Sequence, residues 1–181
     1  MHQSRVSYES ALVVLVPEAE AIVGRLRQRY DPSAAVGMPA HITLNYPFLP
    51  GEPVNAATID QLRTVFSRFQ PIRYALIEAR EFFDTVYLAP HPDEPFMELI
   101  QAVVAQYPRS PPYGGLFAEV VPHLSLAQSE NAAELELVLR EFAPGSESKL
   151  PIEAAALIMG MSGKVRITTL IKVTDRLCRD A

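Results

Sequence analysis

The chain has 181 residues, 49% of them apolar and 20% charged, enough to bury a sizeable core and far from the composition of a disordered segment. Its formal net charge of −5 argues against a broad basic face for long nucleic acid, where binding is carried largely by phosphate neutralisation, but leaves room for a small anion held by local donors. A single cysteine, Cys178, excludes an intrachain disulfide framework and a multi-cysteine zinc site.

The first residues lack the charged-then-apolar layout of a signal peptide. Residues 11–16 form a continuous apolar run, too short to span a membrane and stopped by Pro17, the pattern of a strand buried on both faces. The expected location is the cytoplasm. Pro17 suits the first turn of a helix, with Glu18 and Glu20 near its positive end. Ala21, Ile22 and Leu26 are its expected apolar face, Arg25, Arg27 and Arg29 crowd its later turns, and Asp31-Pro32-Ser33 ends it.

Residues 41–48 alternate. His41, Thr43 and Asn45 are predicted to form a polar row on one side of a strand, with Ile42, Leu44 and Tyr46 on the core side. Pro50-Gly51-Glu52-Pro53 reads as a turn, and Ile59, Leu62, Val65, Phe66 and Phe69 then recur at helical spacing. Residues 72–79 and 82–89 are predicted strands, and Phe96, Leu99, Ile100, Val103, Val104 and Tyr107 mark an amphipathic helix. Residues 109–115 are a loop rich in proline and glycine.

Residues 120–127 repeat the polar-row pattern, with His123 and Ser125 on one face and Leu124 and Leu126 on the other. Asn131 is expected to cap a helix with Glu134 as capping-box partner. Leu135, Val138, Leu139 and Phe142 line that helix, and Pro144 and Gly145 end it. Residues 151–161 and 164–173 read as a hairpin around Ser162-Gly163. This mixed order with hairpins predicts an α+β fold rather than a doubly wound parallel sheet. No linker composition separates the halves, so residues 1–181 are expected to form one domain of two packed lobes.

The chemistry concentrates in Pro39-Ala40-His41-Ile42-Thr43-Leu44 and its echo Pro122-His123-Leu124-Ser125-Leu126, about half a chain apart. An imidazole titrates near neutral pH. Hydrolysis of a phosphodiester needs one group to draw a proton from water and another to protonate the leaving oxygen. Two imidazoles flanking one phosphorus can share these acts, each contributing roughly 10²–10⁴-fold. A hydroxyl two residues along a strand shares its histidine's face and can donate to a non-bridging oxygen. No metal is required. Neither motif contains an Asp or Glu to complete a zinc shell from His41 and His123, and no Gly-x-Ser-x-Gly elbow is present.

These paired stretches resemble the signatures of the 2H phosphoesterase superfamily, which includes the 2′-5′ RNA ligase-like proteins and 2′,3′-cyclic nucleotide phosphodiesterases. The element order and half-chain spacing extend the resemblance over almost the whole chain. It implies a bilobal, duplicated α+β fold, with two mainly antiparallel sheets flanking a central cleft and helices outside. It also implies that His41 and His123 are the acid–base pair and that Thr43 and Ser125 bind the phosphate. Ser125 stands where threonine is often found; serine keeps the donor but loses the methyl that stiffens the rotamer. Family members act on 2′,3′-cyclic phosphates, 2′-5′ linkages or related nucleotide esters.

With no Trp and an acidic balance, the expected partner is a small nucleotide or RNA-end phosphoester, without cofactor or membrane. Tyr113 and Asn45 are candidate substrate contacts, the former by stacking on a base or reaching a phosphate. Arg109, His2, His91 and Cys178 read as solvated or terminal bystanders, and the direction of Glu119 is not set by the sequence. The alternative from another class is a nucleotide- or RNA-end-binding module without turnover.

Overall fold

The computed structural model describes residues 9–143, 152–156 and 165–170. The first apolar run forms β1 (Glu9–Leu15), and Pro17 opens α1 (Pro17–Tyr30). The buried side of α1 is not the expected one. Ala19, Val23 and Arg27 are buried at a four-residue spacing, Ala21 is exposed, and Ile22 and Leu26 pack at the margin of the core. Asp31 closes α1 and caps the short α2 (Pro32–Ala35), its Oδ1 accepting from the Ser33 N–H at 2.8 Å.

β2 (His41–Asn45) is followed by α3 (Ala56–Phe66), whose first turn is capped by Asn55 accepting from the Thr58 N–H at 2.9 Å. β3 (Ile72–Phe82) and β4 (Thr85–His91) form a hairpin. The expected break between them moves to Phe83-Asp84, where Phe83 takes a left-handed φ of 49°. The tip is fastened to the next strand, because Asp84 accepts from Ser129 N–H at 2.9 Å and from Gln128 Nε2 at 3.0 Å. α4 (Glu94–Gln106), β5 (Leu124–Gln128), α5 (Ala132–Glu141), β6 (Ile152–Ala156) and β7 (Val165–Leu170) complete the order.

Asn131 caps α5 by accepting from the Ala133 N–H at 3.1 Å, but the capping box is not the reciprocal one expected. The Asn131 N–H donates to Ser129 Oγ at 3.0 Å, and Ser129 Oγ donates to the Glu134 carboxylate at 2.6 Å. The serine hydroxyl relays the bond that glutamate makes directly in a simple box.

Every strand pair is antiparallel, in two sheets of order β2-β1-β7 and β5-β4-β3-β6. The predicted hairpin of residues 151–173 is therefore overturned: β6 pairs with β3 and β7 pairs with β1, so the two strands enter different sheets. Each of β1 and β3 offers an edge beyond its own neighbour. Filling both edges satisfies a full ladder in each sheet. The Ser162-Gly163 turn, Pro144, Gly145, His2 and Cys178 lie outside the described residues.

One face of both sheets shares a single core. Leu12, Val14, Ile42 and Leu44 of one sheet join Leu76, Val86, Leu88, Leu124 and Leu126 of the other, together with the buried sides of α1, α3, α4 and α5. Phe96 of α4 is fully buried, with its ring edge-on to Tyr74 at 4.9 Å between centroids. Among the described residues no helix is long and apolar enough to cross a membrane.

Two substitutions test these assignments by urea denaturation. Phe96→Ala is expected to cost about 3–5 kcal/mol, from lost burial plus a cavity. Asn131→Ala is expected to cost about 1 kcal/mol, the loss of one cap. Equal costs would contradict the assigned roles.

Candidate active site

The first motif strand is edge strand β2 of one sheet; in the second, His123 immediately precedes edge strand β5 of the other, and these two edges are in contact. The approach to β2 is set by backbone bonds: the Val16 N–H donates to the Ala40 carbonyl at 2.8 Å, and the Ala40 N–H donates to the Glu20 carboxylate. His41 then sits opposite Leu15, Ile42 opposite Val14 and Thr43 opposite Val13. Ile42 and Leu44 enter the core, while His41 and Thr43 remain half-buried on the other side.

The register then slips, because Leu12 pairs with Asn45 rather than Leu44. One extra residue on β2 makes a bulge, and a bulge reverses the alternation beyond it. Asn45 consequently leaves the expected polar row. It is fully buried opposite the core residue Leu12, and its Nδ2 donates to the Ser110 carbonyl at 2.8 Å. Tyr46 moves the opposite way, packing with the small outer cluster of Ala11, Val13 and Met38.

β5 carries the same device. Leu124 lies opposite Leu88 and Ser125 opposite Tyr87, then Ala127 pairs with Val86, leaving Leu126 extra. Each bulge falls three residues after its histidine. Leu126 and Ala127 are both buried in the core, whereas His123 and Ser125 are half-buried on the far side.

The rings are held alike. His41 Nδ1 donates to the Pro39 carbonyl at 2.7 Å, and His123 Nδ1 donates to the Val121 carbonyl at 2.7 Å. A carbonyl can only accept, so each Nδ1 carries the proton and the neutral ring presents Nε2 as a base. Burial lowers the pKa of both rings from the ordinary 6.5. At His41 the bond to Pro39 opposes this, the positive charges of Arg27 and His123 add to it, and Asp31 opposes it. At His123 the bond to Val121 and the charge of Asp31 oppose the lowering.

Around His123 stands a line of aromatic rings of which the sequence reading assigned only Tyr113 to the site. Phe82 and Tyr87 meet the imidazole edge-on at 5.0 and 5.4 Å between centroids. The line continues from Phe82 to Phe83 at 6.2 Å, Phe83 to Phe117 at 6.2 Å and Phe117 to Tyr113 at 5.4 Å. Phe83 is 86% exposed despite its left-handed backbone. The adjacent pair Phe82-Phe83 was the available signal, absorbed into a strand assignment. Tyr113 itself is tied to the first motif strand, its N–H donating to the Tyr46 carbonyl at 2.6 Å, and burial pushes its hydroxyl pKa up. Asn45 and Tyr46 together thus anchor the loop that carries Tyr113.

Arg27 was also missed as part of the site. Its guanidinium is buried between α1, the loop before β2 and β5. The spacing of Ala19, Val23, Arg27 and Asp31 by fours was the signal for that placement. Two surface concavities of about 340 and 370 Å³ are lined by residues such as Gln28, Asp31 and Gln128, and Leu49, Tyr107 and Arg109; neither is lined by either histidine. Among the described residues no three His, Cys, Asp or Glu side chains are grouped to hold a metal.

A family model for the 2′-5′ RNA ligase superfamily matches residues 15–160. A candidate phosphoesterase of Bacillus licheniformis is 26% identical over 126 residues, covering 64% of this chain and 69% of that protein. The structure of E. coli LigT complexed with NADP+ superposes with a TM-score of 0.52 at 16% identity, covering 91% of this chain and 95% of that one. LigT complexed with 3′-AMP gives 0.50 at 16% identity with the same coverage. These structural likenesses bear on the fold.

Long-range ¹⁵N–¹H NMR of the imidazoles tests the geometry. Both rings are expected as Nδ1-protonated tautomers at neutral pH, with titration midpoints below 6.5. An Nε2-protonated neutral ring at either position would contradict it.

Proposed function

The chain belongs to the 2′-5′ RNA ligase superfamily, and from that premise we propose that it is a metal-independent phosphoesterase using His41 and His123 as an acid–base pair. Its substrates are RNA-type phosphodiesters, such as 2′,3′-cyclic phosphates or 2′-5′ linkages, which it hydrolyses or reversibly forms. The observation that carries this reading is the repetition: on two touching edge strands, an Nδ1–carbonyl bond of 2.7 Å, a hydroxyl two residues on, then a bulge.

In hydrolysis of a cyclic phosphate, Nε2 of one neutral histidine takes a proton from the attacking water as oxygen bonds to phosphorus. Nε2 of the other, protonated histidine gives its proton to the departing sugar oxygen as that P–O bond breaks. Ligation follows the same scheme with the 5′-hydroxyl of a second RNA end in place of water: its oxygen bonds to phosphorus, the 3′ oxygen leaves with the donated proton, and a 2′-5′ linkage results. The Thr43 and Ser125 hydroxyls donate to non-bridging oxygens, where charge is spread in the transition state. The two imidazoles and two hydroxyls supply every proton transfer and oxygen contact this scheme needs.

A nucleotide-sized substrate is supported by three features: the net charge of −5, the ring line from Tyr113 to His123, and the related fold of LigT, solved with 3′-AMP, ATP and NADP+. Stacking on such rings tolerates any base, because every base has a π-face. We read residues 1–181 as one domain of two lobes, each contributing one histidine and one hydroxyl.

His41→Ala and His123→Ala are each expected to lower turnover of a 2′,3′-cyclic nucleotide by about 10²–10⁴-fold with the fold intact by circular dichroism. Thr43→Val and Ser125→Ala are expected to lower kcat by about 10²–10³-fold. Activity persists in excess chelator. Full rate in either histidine variant would overturn the assignment, and binding without turnover by the native chain would mark a binding module instead.

The pH dependence follows from the lowered pKa values. Each imidazole loses its proton below 6.5, so above that pH most molecules lack the general acid and kcat/KM falls. At lower pH the base becomes protonated and kcat/KM falls again. A bell with its maximum below pH 6.5 is expected, its limbs belonging to the pair rather than to either ring. A maximum at pH 8 would contradict the assignment.

A further inference from the structure

We propose that Arg27 is a positioning residue that staples the two histidine-bearing segments together and fixes their separation; this rests on the two-histidine reading above. The guanidinium is 2% exposed. Nη1 donates to the Met38 carbonyl at 3.3 Å, three residues before His41. Nε donates to the Ser125 carbonyl at 3.2 Å, two residues after His123. The same side chain bonds Asp31 through Nε at 3.0 Å and Nη2 at 2.8 Å, and donates to Ser33 Oγ at 3.2 Å. One planar fork thus reaches four residues on three chain segments, two of which lead into or carry the motifs.

A buried ion pair is weak evidence for stability, because an apolar replacement of the same volume is often as good. An apolar side chain would fill this space but leave the Met38 and Ser125 carbonyls without their donor. Lysine would retain the charge but not the fork. The placement therefore answers a geometric need: the two imidazoles come from different sheets, and this single side chain on α1 bonds directly to the backbone beside both. The charged groups acting on His41 are Arg27, Asp31 and the opposite imidazole, and Asp31 acts on His123; Glu20 of α1 faces Arg27 Nη1 at 3.8 Å. Arg27 lowers the His41 pKa, and Asp31 raises those of both rings.

Four variants separate position from charge: Arg27→Lys, Arg27→Gln, Asp31→Asn and the double Arg27→Gln/Asp31→Asn, with exposed Arg140→Gln as control. The double variant leaves no unpaired buried charge and covers the case in which a single variant fails to fold. Turnover of a 2′,3′-cyclic nucleotide, imidazole titration by NMR and amide hydrogen exchange are measured on each folded variant. In Arg27→Lys, exchange is expected to quicken at residues 38–43 and 123–127 together but not in α5, with kcat down by about 10²-fold, KM little changed and the His41 midpoint near native. In Arg27→Gln the His41 midpoint rises. In Asp31→Asn both midpoints fall. In the double variant kcat stays low while the His41 midpoint returns toward native.

Native kcat in the folded Lys and double variants, or quickened exchange in only one motif segment, would overturn the staple. Should the native chain turn over no cyclic nucleotide, the two-histidine reading fails, and the exchange data alone decide: joint loosening retains the staple, its absence removes it.

Discussion

Each imidazole is tied to its own backbone two residues upstream, and that short bond decides what the ring can do. With Nδ1 committed to a carbonyl at 2.7 Å, tautomer and orientation are set before any ligand arrives. Nε2 is left as the chemically available atom at both positions. The proline-containing approaches Pro39-Ala40 and Val121-Pro122 carry the carbonyls that the rings bond. Partial burial then disfavours the charged form, so two histidines can stand near each other without both being protonated at neutral pH.

The sheets supply the second constraint. Placing each motif at an edge strand lets β2 and β5 approach while their apolar residues remain in the shared core. The bulge after each hydroxyl ends the polar row at two residues. Beyond it Asn45 and Ala127 both turn inward, so the row of each strand is one histidine and one hydroxyl. On the β2 side the inward turn has a further use, because Asn45 reaches the Ser110 carbonyl and steadies the loop leading to Tyr113. Around β5, the Phe83 turn carries a large apolar ring into solvent on a left-handed backbone, an arrangement that burial does not reward. Contact with Phe117 and Phe82 links that ring to the histidine.

Local patterns were legible in the sequence. The two His-x-hydroxyl strands, the helices of residues 56–66 and 94–106 and the α+β class follow from alternation, helical periodicity and proline placement. Features decided by partners were not. Whether Asn45 faces out or in depends on which residue of β1 lies opposite, and no pattern within β2 announces the slip. The consecutive apolar pair Leu126-Ala127 did hint at the matching slip in β5. The failed hairpin has the same origin: β-branched composition marks strands but does not choose between a neighbour in sequence and an open sheet edge. Arg27 was not singled out, because charge in a later helical turn suggests solvent, and only the position of Asp31 four residues on argues otherwise.

The central claim is that His41 and His123 address one phosphorus from opposite sides. A crystal structure with orthovanadate, whose five-coordinate form stands in for the phosphoryl group in transfer, tests it most directly. One vanadate is expected between the strands, each Nε2 about 2.6–3.2 Å from a different apical oxygen and the Thr43 and Ser125 hydroxyls on equatorial ones. A vanadate bound by one histidine alone, or bound away from both, would contradict the claim.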